Sequence, residues 1–196
     1  MTTSGRKAAT SEDRHLARAA AAAFGGSAKV HKFYDRDESH EIAILTCTDA
    51  PQPAFSTYST IGAHRAPNRL ENENIPVELA GVASAAVTEF PNMLATAAFQ
   101  VIKEGWLAAP GVVFPGLVSD YALSDTLEHV MWTPPFPWPD LHRVTVSDKL
   151  NVHWLLAVPI AESERRLLAN EGYPALERLL EQNDTAYYDL DRDPVV

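Results

Sequence analysis

The side chains with which this chain could do acid–base, nucleophilic or metal chemistry are seven histidines, one cysteine and 26 carboxylates. The densest grouping is His31, Asp35, Asp37, His40 and Glu41. If residues 30–35 and 41–48 are the arms of a hairpin, these groups converge. Two imidazoles and a carboxylate are the donor set of a catalytic zinc with one position left for water. The spacing matches no specific metal motif, however, and a polar turn between strands is ordinarily rich in Asp, Glu, Ser and His. The turn reading is preferred, and no metal is expected. Cys47 sits in an apolar run, where a thiol is an inert small hydrophobe unless His31 or His153 stands beside it to stabilise thiolate. Gly111 and Gly116 have the separation of a phosphate loop, but Leu117 and Val118 follow instead of the lysine that meets a phosphate. There is no GxGxxG, GxSxG or HExxH pattern. His153 reads as a core histidine, Glu78 as a solvated edge charge, and Ser56–Thr60 as the hydroxyl ladder of a sheet wet on one face. No residue is assigned to catalysis and no cofactor is expected.

The elements that position these groups follow from periodicity. Thr10 with Asp13 is a capping-box pattern and Gly25–Gly26 a stop, giving a helix over 11–24. Strands are expected over 30–35, 41–48, 55–62 and 77–82, with the second apolar on both faces and therefore central. Residues 64–76 are the most loop-like stretch. Pro91, Gly105 and apolar residues at three- and four-residue spacing predict a helix over 90–104 that lies flat on the sheet. Residues 106–115 read as turns, 129–133 as a strand. Four prolines within 134–139 exclude helix and central strand, leaving an extended loop that carries Phe136 and Trp138. Strands over 144–146 and 152–158 and helices over 161–170 and 174–182 complete the chain. The expected fold is a single α+β domain: a meandering, mostly antiparallel or mixed sheet, a packed central helix and helices at both ends. The division is an N-terminal helical segment, 1–28, and the domain proper, 29–196.

Composition narrows the function classes. The formal net charge is −10, from 16 Lys plus Arg against 26 Asp plus Glu, which opposes binding to a phosphate backbone and favours a basic partner. Nine acids and four bases fall from Glu162 onward, so half of the excess is C-terminal. A single cysteine leaves no intramolecular disulfide to depend on an oxidising compartment, and no apolar run approaches the ~20 residues that span a bilayer. A cytoplasmic protein without a membrane segment is expected. Fourteen prolines against nine glycines cut the chain into short elements and disfavour a coiled coil or helical solenoid.

Several ordered words carry a resemblance: Val30–Asp35, Ser39–Leu45, Tyr58–Gly62, Phe90–Asn92, Trp106, Ala109–Pro115, Pro134–Trp138 and Val152–Ile160. Their order and spacing, from about Val30 to the C-terminus, resemble the suppressor of fused domain family, in its short bacterial form. The resemblance implies an α+β domain that acts by binding protein, with no known catalytic residues. The family's animal namesake restrains a transcription factor by gripping an extended peptide as an added strand. Some bacterial members look like immunity proteins or antitoxins that silence a toxin, often a nuclease. The helix before Lys29 and the acidic C-terminal region do not map onto the family.

Two surfaces are the candidate partner contacts: the first hairpin, with Tyr34, Asp35, Asp37 and His40, and the proline loop, with Phe136 and Trp138. Preorganised aromatics lose little entropy on binding, although aromatics packed under a rigid loop are an equal reading. The leading expectation is a non-catalytic protein that binds a cognate toxin. The alternatives are a scaffold that captures an extended peptide at a sheet edge and a hydrolase built on the histidines and carboxylates of the first hairpin.

Overall fold

The computed structural model describes residues 8–196. Strands whose apolar residues face both ways need cover on both sides, and the sheet has it. Its strands are β1 (Ser27–Tyr34), β2 (Glu41–Thr48), β3 (Phe55–Ile61), β6 (Val77–Ser84), β7 (Val113–Phe114), β8 (His129–Thr133), β9 (Val144–Ser147) and β10 (Leu150–Ile160), while β4 (Arg69–Leu70) and β5 (Glu73–Asn74) form a separate small hairpin. The helices are α1 (Ser11–Phe24), α2 (Phe90–Glu104), α3 (Glu162–Glu171) and α4 (Tyr173–Gln182).

The meander expected from sequence holds for β1–β2–β3–β6, which pair antiparallel in that order. Beyond β6 it fails. The chain leaves through α2, forms β7 and β8 at the far side, and returns as β10 between β6 and β8, parallel to the former and antiparallel to the latter. β9 folds back on the first residues of β10. The small hairpin β4–β5 lies inside the stretch that had no strand signal.

One face of the sheet is covered by α2. Ile42 and Ile44 of β2, Val77 and Leu79 of β6, Trp132 of β8 and Leu155 and Ala157 of β10 meet Phe90, Met93, Leu94, Ala97, Ala98 and Val101 of the helix. Gly81 is required by this packing: a Cβ there would lie 2.6 Å from the Phe90 ring. Tyr58, directly opposite Gly81 across the β3–β6 ladder, stacks on the same ring with centroids 5.3 Å apart. A helix thus reaches the strand backbone itself, through the position that has no side chain.

The other face is covered by α1 and the α3–α4 pair. Leu16, Ala20 and Phe24 are the buried stripe of α1, spaced by four, and they join Leu45, Cys47, Val82, Trp154, Leu156 and Leu176 in a second core. Burial of leucine and phenylalanine side chains contributes roughly 1.5–3 kcal/mol each, so α1 is held by its apolar stripe. Its N-terminus carries the capping box anticipated from Thr10 and Asp13: the Asp13 amide donates to Thr10 Oγ1 at 3.1 Å and the Thr10 amide to Asp13 Oδ2 at 2.8 Å. Arg65, from the turn after β3, pairs with Asp13 and ties this cap to the sheet.

Candidate functional site

The first hairpin is organised by one carboxylate. Asp35, 8% exposed, accepts the His40 amide on Oδ1 at 3.0 Å and the Ser39 hydroxyl on Oδ2 at 2.8 Å. Lys103 at the end of α2 places its Nζ 2.7 Å from the same oxygen, and His40 Nδ1 is 3.3 Å away. Lys103, then the His40 amide, hold the Asp35 carboxyl well below the usual carboxylate range. This arrangement joins the β1–β2 turn to α2. Asp37 is 3.8 Å from the same ammonium but largely in solvent, and Tyr34 is 44% exposed. Of the four hairpin candidates, Tyr34, Asp37 and His40 face outward, and Asp35 faces inward as the post on which the turn is built. Among the described residues, no three His, Cys, Asp or Glu side chains converge as metal ligands.

The sign of the pH dependence follows from Asp35. Its folded-state pKa is below the unfolded value of about 3.9, so its contribution to stability is complete above about pH 4 and disappears as the pH falls further. Carboxyl-carbon NMR is expected to show Asp35 still ionised where ordinary aspartates have titrated, and Lys103→Met is expected to move its midpoint up. An unchanged midpoint in that variant would exclude the Lys103 contact as the cause.

The proline loop separates its two aromatics. Tight turns, with the Phe136 amide donating to Pro134 O and the Trp138 amide to Pro135 O, both at 2.8 Å, put the two rings in different surroundings. Trp138 is buried against Phe24 of α1, centroids 4.5 Å apart. Its ring is core, which matches the packing reading of the loop and not an exposed anchor. Phe136 is 55% exposed and meets Tyr187 edge-on at 5.1 Å; Tyr187 then meets Tyr188, and Tyr188 meets Phe55. Four rings therefore run along the second layer of the molecule, with Phe136 at their open end.

A cavity of about 410 Å³ adjoins the hairpin, lined by Phe33, Tyr34 and Asp35 on one side and by Thr96, Phe99, Gln100 and Lys103 of α2 on the other. Beside it, β1 is the outermost strand of the sheet and exposed along nearly its whole length. Lysines on such a strand, here Lys29 and Lys32, discourage edge-to-edge pairing with a second copy.

Two buried polar clusters escaped the sequence reading. Glu78 is not a solvated edge charge: it is fully buried. Its carboxylate accepts the Thr60 hydroxyl at 2.5 Å, the Gly62 and Ala63 amides at 2.7 and 3.2 Å, and has His64 Nδ1 at 2.6 Å. Thr60 in turn accepts the Leu79 amide at 2.8 Å. Ser56, Thr57, Ser59 and Thr60 are buried as well, so the hydroxyl strand is not wet; Ser59 accepts the Trp154 indole N–H at 2.8 Å. The His64–Glu78 dyad has the composition of an acid–base pair, but His64 is 4% exposed and Glu78 and Thr60 are 0%, closed to any substrate. The second cluster is Glu164 with Arg192, both buried. His153, expected in the core, is half exposed, with Nδ1 2.6 Å from His142 O; His129 is the buried histidine of that region. Cys47 is fully buried, and burial pushes its thiol up, away from nucleophilic use.

A mixed sheet with α2 on one face, α1 and α3–α4 on the other, and β10 inserted between β6 and β8 is the fold of suppressor of fused domains. The structure matches a SUFU homologue from Neisseria gonorrhoeae FA 1090 with a TM-score of 0.69 over 94% of each chain at 15% identity. It matches a chain of a Sufu–Fu complex crystal structure with a TM-score of 0.65, covering 93% of this chain and 90% of that one at 13% identity. In sequence, residues 38–193 match the family described as Suppressor of fused protein (SUFU), and this chain belongs to that family. It is also 35% identical over 190 residues, 95% of its length and 98% of the relative's, to Immunity protein YqcF of Bacillus subtilis (strain 168). Among the described residues no helix is long and apolar enough to cross a membrane.

Proposed function

We propose that this protein is an immunity protein that binds a cognate toxin in the cytoplasm and neutralises it by docking, with no chemistry of its own. The observation that carries this reading is the 35% identity, over nearly the whole of both chains, to a protein named as an immunity protein. Three physical features support it. The histidine–carboxylate pair with the composition for catalysis is sealed in the core. The surface is strongly acidic, at −10 overall, which accelerates encounter with a basic partner such as a nuclease. Tyr34 and Phe136 are large side chains exposed on ordered supports. Co-expression with a toxic domain, taken from the neighbouring genes where one is encoded there, is expected to restore growth and to yield a complex that survives gel filtration. Growth arrest despite abundant folded protein would overturn the reading.

A second reading has its own observation. β1 offers seven exposed residues out of eight on an outer strand beside the α2 groove, which suits capture of an extended peptide as an added strand. It is distinguished by what binds: a short linear peptide from the partner, sufficient by itself and indifferent to the partner's fold.

A further inference from the structure

Phe136 and Tyr187 form one side of a second cavity, of about 380 Å³, within the range that takes a small ligand or an anchoring side chain. Its floor is Met131 of β8 and Val158 of β10, and its wall is α4, with Tyr173, Glu177, Leu180 and Glu181, continuing to Asp184. Glu177 and Glu181 are four residues apart and so share a face of α4; Asp184 follows in the turn after the helix. The lining contains three carboxylates and no lysine, arginine or histidine.

The fold does not neutralise these acids. Glu177 accepts the Tyr173 hydroxyl at 2.8 Å, and among the described residues none of the three belongs to an ion pair. Like charges at this helical spacing repel one another. The rings beside them present negative π-faces, which add to the attraction for a cation. A planar cation on an aliphatic stem satisfies every wall: the stem lies on Leu180 and Val158, the plane packs against the rings, and its N–H donors reach two carboxylates. Arginine has that form, and lysine, a compact and strongly hydrated point charge, does not.

We infer that this cavity is a receptor for an arginine side chain presented by the partner protein, gripped between the Phe136–Tyr187 rings and the carboxylates of Glu181 and Asp184. The inference rests on the immunity reading for the identity of the partner, but its chemistry is testable without one.

The full-length protein, labelled with ¹⁵N, is titrated with N-acetyl-arginine methylamide and, separately, with the lysine and leucine analogues. Saturable shifts are expected with the arginine compound, centred on the amides of Glu181, Asp184, Thr185 and Tyr187, with a dissociation constant on the order of millimolar. The Glu181→Gln/Asp184→Asn variant, whose changes are exposed, is expected to fold normally and bind at least about tenfold more weakly. No saturable shift, or an equal response to lysine or leucine, overturns the inference. The two readings fail separately. Arginine binding with no rescue from the toxin sinks the immunity role alone. Unchanged affinity of the double variant for a neutralised toxin sinks the arginine receptor alone.

Discussion

Glu78→Ala is expected to destabilise the protein by about 4 kcal/mol or more, enough to remove much of the ~5–15 kcal/mol by which a domain of this size is folded. The magnitude follows from what the carboxylate holds. It is the acceptor for the Thr60 hydroxyl and for the Gly62 and Ala63 amides, and it stands 2.6 Å from the His64 ring. Each donor left buried without an acceptor costs ~1–3 kcal/mol, and alanine cannot fill the space with water-like partners. Glu78→Gln keeps one acceptor oxygen and the shape, but turns an N–H₂ toward donors, so a smaller loss is expected. Urea denaturation of the three proteins checks the order: parent, then glutamine, then alanine. An alanine variant within 1 kcal/mol of the parent would show that the cluster is not a keystone of the β3–β6 junction. Because the dyad is closed to solvent, the glutamine variant, where folded, is also expected to behave as the parent does in the co-expression test of the proposed immunity role.

The same cluster shows where sequence reading succeeds and where it stops. α1 and α2 were legible to the residue, because Thr10 and Asp13 form a cap, Pro91 stands at a helix start and Gly105 adopts the left-handed backbone at the stop. These are local signals. β2 was legible as central because both of its faces are apolar, and the two cores on opposite sides of the sheet give the reason. Glu78 was misread because a strand written Val77–Glu78–Leu79 has the alternation of a half-wet strand. Its acceptors are satisfied by a turn 14–18 residues earlier in the chain, and no periodicity encodes that meeting. The insertion of β10 between β6 and β8 is a long-range choice of the same kind. In the proline loop, composition excluded α-helix and central strand, and only a 3-10 turn begins at its end, at Pro139; it said nothing of which ring turns inward, which Phe24, more than a hundred residues away, decides for Trp138. At the hairpin, residue types located the turn, while the inward role of Asp35 depends on Lys103 arriving from α2.

Arg192→Ala is expected to cost about 3–5 kcal/mol, the usual penalty for removing one member of a buried ion pair. The effect should be concentrated in the C-terminal strap. Arg192 donates to both oxygens of Glu164, at 2.7 and 2.9 Å, and to Pro159 O at 2.8 Å. Glu164 also accepts the Ala161 amide, which starts α3, and the Val195 amide. Two further links, Ser124 Oγ to Leu190 O and Ser163 Oγ to Val196 O, hold the same segment down. Without the guanidinium, Glu164 is left as a buried carboxylate with amide donors only. The Glu164→Gln/Arg192→Met pair removes both charges, so its loss is expected to be smaller than the sum of the single changes, a coupling that a double-mutant cycle reads directly. Hydrogen exchange gives the spatial test: in Arg192→Ala, the amides of Leu190 to Val195 should lose protection before the sheet does. The strap also carries Tyr187 and Tyr188, the middle of the ring series that ends at Phe136. Loosening it therefore removes one wall of the acidic cavity, and affinity for the N-acetyl-arginine methylamide probe should fall in Arg192→Ala even at temperatures where the sheet is intact. If exchange in the strap is unchanged while global stability drops, the ion pair acts on the whole fold and the strap is not a separable unit.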